Sequence, residues 1–452
     1  MTGHARIFAA VTLGIAAAYT SVSHAAVSAD EAKQLGTTLT PFGAEKAGNK
    51  EGTIPEYNGG LTTPPAGFVP GPGPKPRPDP FPNDKPLYSI DAKNMDKYAD
   101  KLTEGAKAMM TKHPGFRIDV YPTRRTVAYP QFVLDNTVKN ATRCKTVDEG
   151  LAIVPECAGG IAFPIPKTGY EVMWNYMTRW IGGTVEFRAK TIYVEPSGKV
   201  VETADFNAFT DQPYYDDARK GTGALLYSRG DQLQARSAGN ATIVIDYINP
   251  VDNGRRAWSY SPGQRRVRVA PDFAYDTPTD GSGGVQLYDE INIFSGKMDR
   301  FDFKLAGKKE VFIPYNSYRL HTGKLADVAK PGFINPDLNR WELHRAWVVE
   351  ATLKPGKRHV YSKRVFYVDE DGGTIVADNY DATGKLWRTV MNHPAPLYDV
   401  PATTQNPVAH YDLINGYYVL LSHTGDTGGV NVRKPRPSSF WTPDSLASTG
   451  IR

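Results

Sequence analysis

From Arg117 onward, apolar and polar residues alternate with the period of two that marks strands whose faces meet different surroundings. Residues 186–194 and 199–206 flank Pro196-Ser197-Gly198 and predict a hairpin. Residues 241–278 predict an antiparallel meander. Its first strand carries Ile243, Ile245 and Tyr247 on one face, its second carries Trp258 and Tyr260, and its third alternates Arg and Val. Residues 288–294, 301–305 and 310–314 predict shorter strands, with Phe301, Phe303 and Leu305 aligned on the second. Another meander is predicted over 346–353, 359–368, 374–379 and 385–391. Its first strand aligns Trp347, Val349, Ala351 and Leu353, and its turns are rich in Pro, Gly and Asp.

Helical spacing is confined to the first quarter of the chain. Met95, Tyr98, Leu102, Ala106 and Met109 predict a helix over 89–112, ended by His113-Pro114-Gly115. Ser28 and Glu31 have the capping-box pattern and start a short helix. Residues 48–86 between these helices are crowded with Gly and Pro. Such a segment has too few backbone donors for regular structure and favours extended polyproline conformation. It is either a linker or an arm laid along the main domain, with Ile54, Tyr57, Leu61, Phe68, Phe81 and Leu87 as anchors. After Pro394 the chain is again rich in Pro and Gly, with one apolar stretch at 417–421.

Composition supports a β-rich fold. Of 452 residues, 42 are Gly, 35 are Pro and 25 are Tyr, a balance of turn formers and strand formers. His4 and Arg6, the apolar run 7–18 and the small residues around Ala25 read as a signal peptide cleaved after Ala25. The residue immediately after that point is Ala26 and not Cys, so no lipid anchor is expected. The organisation expected is a signal peptide at 1–25, a Pro/Gly-rich arm at 26–88, a main domain at 89–400 and a C-terminal extension at 401–452 packed on it. The formal net charge of +5 gives no case for a nucleic-acid partner. In an exported chain, Cys144 and Cys157 are expected to form a disulfide. Their spacing does not suit a redox or metal CxxC pair.

The motifs of nucleophilic, metal and phosphate chemistry do not appear in the sequence. No catalytic residue, cofactor or metal site is therefore expected. The acidic run 369–373 has the look of a calcium loop without its later Glu, and reads as a hairpin turn. The Arg255, Arg256, Arg265, Arg266 and Arg268 cluster has two readings. It either protects a sheet edge, or Arg255, Arg256, Arg266 and Arg268 contact anionic headgroups or an acidic partner. The aligned aromatics likewise either fill a core or line a cavity for an apolar ligand.

Residues 39–49 (LTPFGAEKAGN), 52–55 (GTIP), 119–126 (DVYPTRRT), 256–268 (RAWSYSPGQRRVR), 308–316 (KKEVFIPYN) and 357–371 (KRHVYSKRVFYVDED) resemble the bacterial family called domain of unknown function 1329. The resemblance covers most of the mature chain. It implies a fold like the lipoprotein carriers LolA and LolB: a β-rich α+β architecture with a strongly curved antiparallel sheet. That sheet is an incomplete barrel covered by helices around a hydrophobic cavity. It also implies a periplasmic location, peripheral to the outer membrane, and partners among RND-type exporters and an outer-membrane β-barrel. The function expected is a non-enzymatic carrier of a lipid-like or lipoprotein acyl ligand. Its cavity would be lined by Ile243, Ile245, Tyr247, Trp258, Tyr260, Phe301, Phe303, Trp347 and Val349. The alternatives are a transporter accessory that binds protein, and an envelope lipid or glycan hydrolase with a dispersed site.

Overall fold

The computed structural model describes residues 27–69, 71, 73–404 and 406–449; the expected signal peptide lies outside them. After a one-turn helix at Ala29–Ala32 come three longer ones: α1 (Glu104–Lys112), α2 (Gln131–Arg143) and α3 (Gly169–Met177). Fourteen strands then build most of one sheet. They are β1 (Thr184–Val194), β2 (Val200–Asp211), β3 (Ala224–Gln232), β4 (Ala241–Tyr247), β5 (Arg256–Ser261), β6 (Arg266–Val269), β7 (Phe301–Pro314) and β8 (Trp341–Leu353). The rest are β9 (Lys363–Asp369), β10 (Ile375–Tyr380), β11 (Leu386–Asn392), β12 (Val408–Asp412), β13 (Tyr418–His423) and β14 (Val430–Arg433). A last helix, α4 (Pro443–Thr449), follows.

The order across the sheet is β7-β8-β9-β10-β11-β12-β13-β1-β2-β3-β4-β5-β6, antiparallel throughout, with β14 pairing β1 beyond β13. The end strands β6 and β7 do not pair, so the sheet curves without closing into a barrel. Two local meanders, β1–β6 and β7–β11, are thus joined by β12 and β13. The joining pair sets Tyr418 opposite Val194 and Leu420 opposite Ile192. Residues 401–452, expected to lie on the domain as an extension, put three strands into this sheet. The apolar stretch at 417–421 is the seam between its halves.

Strand alternation gives each face its own core. On β9, Val365 and Tyr367 join the cluster holding Ala106, Met109 and Met110 of α1. Phe366 and Val368 join the opposite cluster, with Val172, Met173 and Trp174 of α3. That second cluster also takes Leu225 and Ile248 from the other half of the sheet. A flat sheet could not bring these together, so this is the concave side.

Several expected elements differ. The strands expected at 301–305 and 310–314 are one continuous strand, β7. The helix over 89–112 is a 3₁₀ turn (Met95–Lys101) and then α1, separated at Leu102 and Thr103, whose hydroxyl caps the Ala106 N–H at 3.1 Å. The strand expected at 288–294 is a 3₁₀ turn (Tyr288–Glu290) followed by Asn292 and Ile293 at positive φ. Two adjacent carboxylates are buried there, and an extended backbone would send them to opposite faces. The arm packs on the domain: Phe42 and Ile54 are buried and Arg77 clamps Asp399, while Leu87 is exposed. Cys144 and Cys157 form a buried disulfide.

Candidate functional site

The pocket of interest lies on the concave side, where α3 ends. Thr168 caps α3 by accepting the Glu171 N–H at 3.2 Å. Trp174 is anchored by its indole N–H, which donates to the Gly150 carbonyl at 2.8 Å. The next turn delivers Met177 and Arg179. Facing them are Leu225 and Leu226 of β3, Asp246 of β4, and the 289–297 loop with Phe294 and Lys297. Together they enclose a cavity of about 330 Å³, within the size range of small-molecule sites.

Its polar wall is organised by buried ion pairs. Arg255 grips Asp246 with both ends of its guanidinium, at 2.7 and 3.0 Å. Asp289 Oδ2 accepts from His359 Nε2 at 3.0 Å and from Arg364 Nη1 at 3.3 Å. Burial opposes ionisation of Asp289, yet the Arg364 charge and the His359 hydrogen bond leave its carboxyl below the usual range. Its neighbour Glu290 is fully enclosed, with Tyr361 and Asn379 each donating at 3.0 Å. There burial outweighs Arg364 and Arg388, and the carboxyl is shifted up. Two polar atoms in this wall are sealed from solvent and have no partner among the described residues, Asp289 Oδ1 and Arg179 Nε.

The Asp289–His359 pair is not arranged as a general base. His359 Nδ1 already accepts the Tyr361 N–H at 3.0 Å, so the ring has no lone pair free for a substrate proton.

A second buried network lies under the 369–373 hairpin. His344, Asp369 and Asp371 place one potential ligand atom each within 4.8 Å of one another. Both Asp371 oxygens, however, are held by Arg125 at 2.7 and 2.9 Å. His344 Nε2–H donates to the Glu342 carboxylate at 3.0 Å and the ring stacks on Tyr315 at 3.8 Å. Arg340, Arg345 and Lys308 neutralise Glu342 and Glu370. A guanidinium clamped on one of three ligands suits a charge-balanced structural network better than a divalent cation. Burial beside Asp371 pushes the Asp369 carboxyl up to about 7.

The residues expected to line one cavity fall in three places. Ile243, Ile245, Trp258 and Tyr260 lie on the convex face of the β4–β5 meander, packed under Leu446 and Ala447 of α4. Phe301, Phe303 and Val349 belong to the concave core, and Trp347 borders a crevice of about 40 Å³ beside Asp369. Tyr247 alone reaches the rim of the larger pocket. The Arg cluster divides too. Arg255 turns inward to Asp246, whereas Arg256, Arg266 and Arg268 are exposed, the last two on edge strand β6. Arg179 and Asp289 carry no motif that singles them out. The one available signal was a pair of adjacent acids inside the apolar run 285–294.

Among the described residues, no helix is long and apolar enough to cross a membrane. An uncharacterized protein from Pseudomonas aeruginosa is 40% identical over 441 residues, covering 95% of each chain. A crystal structure of a DUF1329 family protein from Desulfovibrio piger is 16% identical, covers 62% of this chain and 97% of that one, and has a TM-score of 0.42. A LolA superfamily protein from Nitrosomonas europaea is 12% identical, covers 62% of this chain and all of that one, and has a TM-score of 0.35. The family model described as protein of unknown function DUF1329 matches residues 89–447, and this chain belongs to that family.

Proposed function

We propose that the protein is a non-enzymatic carrier that binds a hydrophobic, lipid-like molecule in the pocket at the end of α3. The observation behind this reading is the pocket's composition. Trp174, Met177, Leu225, Leu226 and Phe294 offer an apolar lining, and beside them two enclosed polar atoms lack partners among the described residues. Burying an acyl chain contributes about 0.8 kcal/mol per methylene, so binding needs no catalytic group. A periplasmic setting fits the disulfide.

The test is periplasmic expression, then native mass spectrometry and solvent extraction of the purified protein. A co-purifying apolar molecule is expected, and Leu226→Trp, which fills the pocket, should lose it. Protein that carries nothing, and that binds an acyl probe no better than the filled variant, would refute the reading.

A further inference from the structure

Arg179, half-buried at the end of α3, differs from four guanidiniums of the two charge networks. Arg125, Arg255, Arg340 and Arg364 each face a carboxylate at 3.3 Å or less. Arg179 has no carboxylate partner among the described residues. Its Nη1 donates to the Tyr176 carbonyl at 2.6 Å and its guanidinium stacks on the Tyr176 ring at 4.1 Å. Its Nε–H is sealed from solvent with no acceptor. An unpaired, half-buried cation with an enclosed, unsatisfied donor is costly, and this one borders both the pocket and the crevice beside Asp369.

We propose that Arg179 is the counter-charge for an anionic amphiphile, a molecule with an apolar tail and one carboxylate or phosphate head. This deepens the carrier reading and rests on it. The tail would lie along Trp174, Leu225, Leu226 and Phe294, and the head would sit at the Arg179 guanidinium. The two carboxylates on the wall do not oppose it: Asp246 is held by Arg255, and Asp289 by Arg364 and His359. With Lys297, the pocket lining carries three cationic side chains against two anionic ones.

Oleate, oleoyl lysophosphatidic acid, oleyl alcohol, butyrate and inorganic phosphate are titrated against the delipidated full chain, with tryptophan fluorescence as readout. At least one of the two long anions is expected to bind about tenfold or more tighter than the alcohol, the scale of a hydrogen bond to a charged group. The tighter one identifies the head. Butyrate and phosphate should bind at least a hundredfold more weakly. Arg179→Met should bind the anions and the alcohol alike, while Arg179→Lys keeps the preference. Without ligand, Arg179→Met should melt no lower than wild type, since it removes an unpaired charge. Equal binding of anions and alcohol by wild type, an anion preference that survives in Arg179→Met, or a lower melting temperature in that variant would overturn the assignment while leaving the carrier reading standing. Failure to bind any long-chain probe would overturn both.

Discussion

Gly105 in the first turn of α1 gives the sharpest test of how far local rules apply here. By helix propensity, Gly105→Ala should stabilise by about 1 kcal/mol. The structure reverses the sign. A Cβ at Gly105 would sit 2.1 Å from Thr389 Oγ1 and 2.2 Å from Asp378 Oδ1. Neither group can retreat to solvent, because both residues are fully buried under the helix. Asp378 accepts the Gly105 N–H at 3.0 Å and the Thr389 hydroxyl at 2.8 Å, so it caps the helix from the sheet. Making room for a methyl group lengthens both bonds. Each involves a charged acceptor and is worth about 1.5–3 kcal/mol. Subtracting the propensity gain leaves a net loss of about 2–5 kcal/mol. Urea unfolding of wild type and Gly105→Ala, followed by far-UV circular dichroism, measures it as a lower midpoint at unchanged slope. A midpoint equal to wild type or above it would show that α1 does not dock as described.

Other consequences can be checked independently. Arg125→Met leaves Asp371 buried without its partner and should cost about 3–5 kcal/mol, whereas Arg125→Met with Asp371→Leu should recover most of that, as a double-mutant cycle in urea would show. His393 and His410 are buried and shifted down to about 3, and His321 to about 4, in each case chiefly by burial. Their folded values lie below the unfolded one, so the stability they contribute is present above pH 6.5 and is lost as pH falls toward 3. At pH 4, His410 alone should cost about 3 kcal/mol, and His410→Leu should move the acid-unfolding midpoint, followed by fluorescence, to lower pH. Leu446→Ala removes the fully buried side chain that covers the β4–β5 meander. It should cost about 2–5 kcal/mol and raise hydrogen exchange in α4 before the rest of the sheet; uniform exchange throughout would contradict this packing.

The sequence by itself determined most of the strands and their alternation. In β4 and β5, Ile243, Ile245, Trp258 and Tyr260 do share one face, because a period of two is a local property of extended backbone. The meanders, the capped helix at Ser28 and the disulfide were legible for the same reason: each depends on residues close together in the chain. What lies against a face is not local. The helix covering that apolar face comes about 200 residues later, and the strands joining the two meanders come from the last tenth of the chain. Only the tertiary structure could therefore show that the oily side of the meander faces its own C-terminal helix. The other side, with Asp246 and Leu226, faces the pocket. The pocket's charges were hidden too. Burying Asp289 and Glu290 in a turn rather than a strand depends on Arg364 and His359, some seventy residues away. The isolation of Arg179 appears only when its Nε is found enclosed with no acceptor among the described residues.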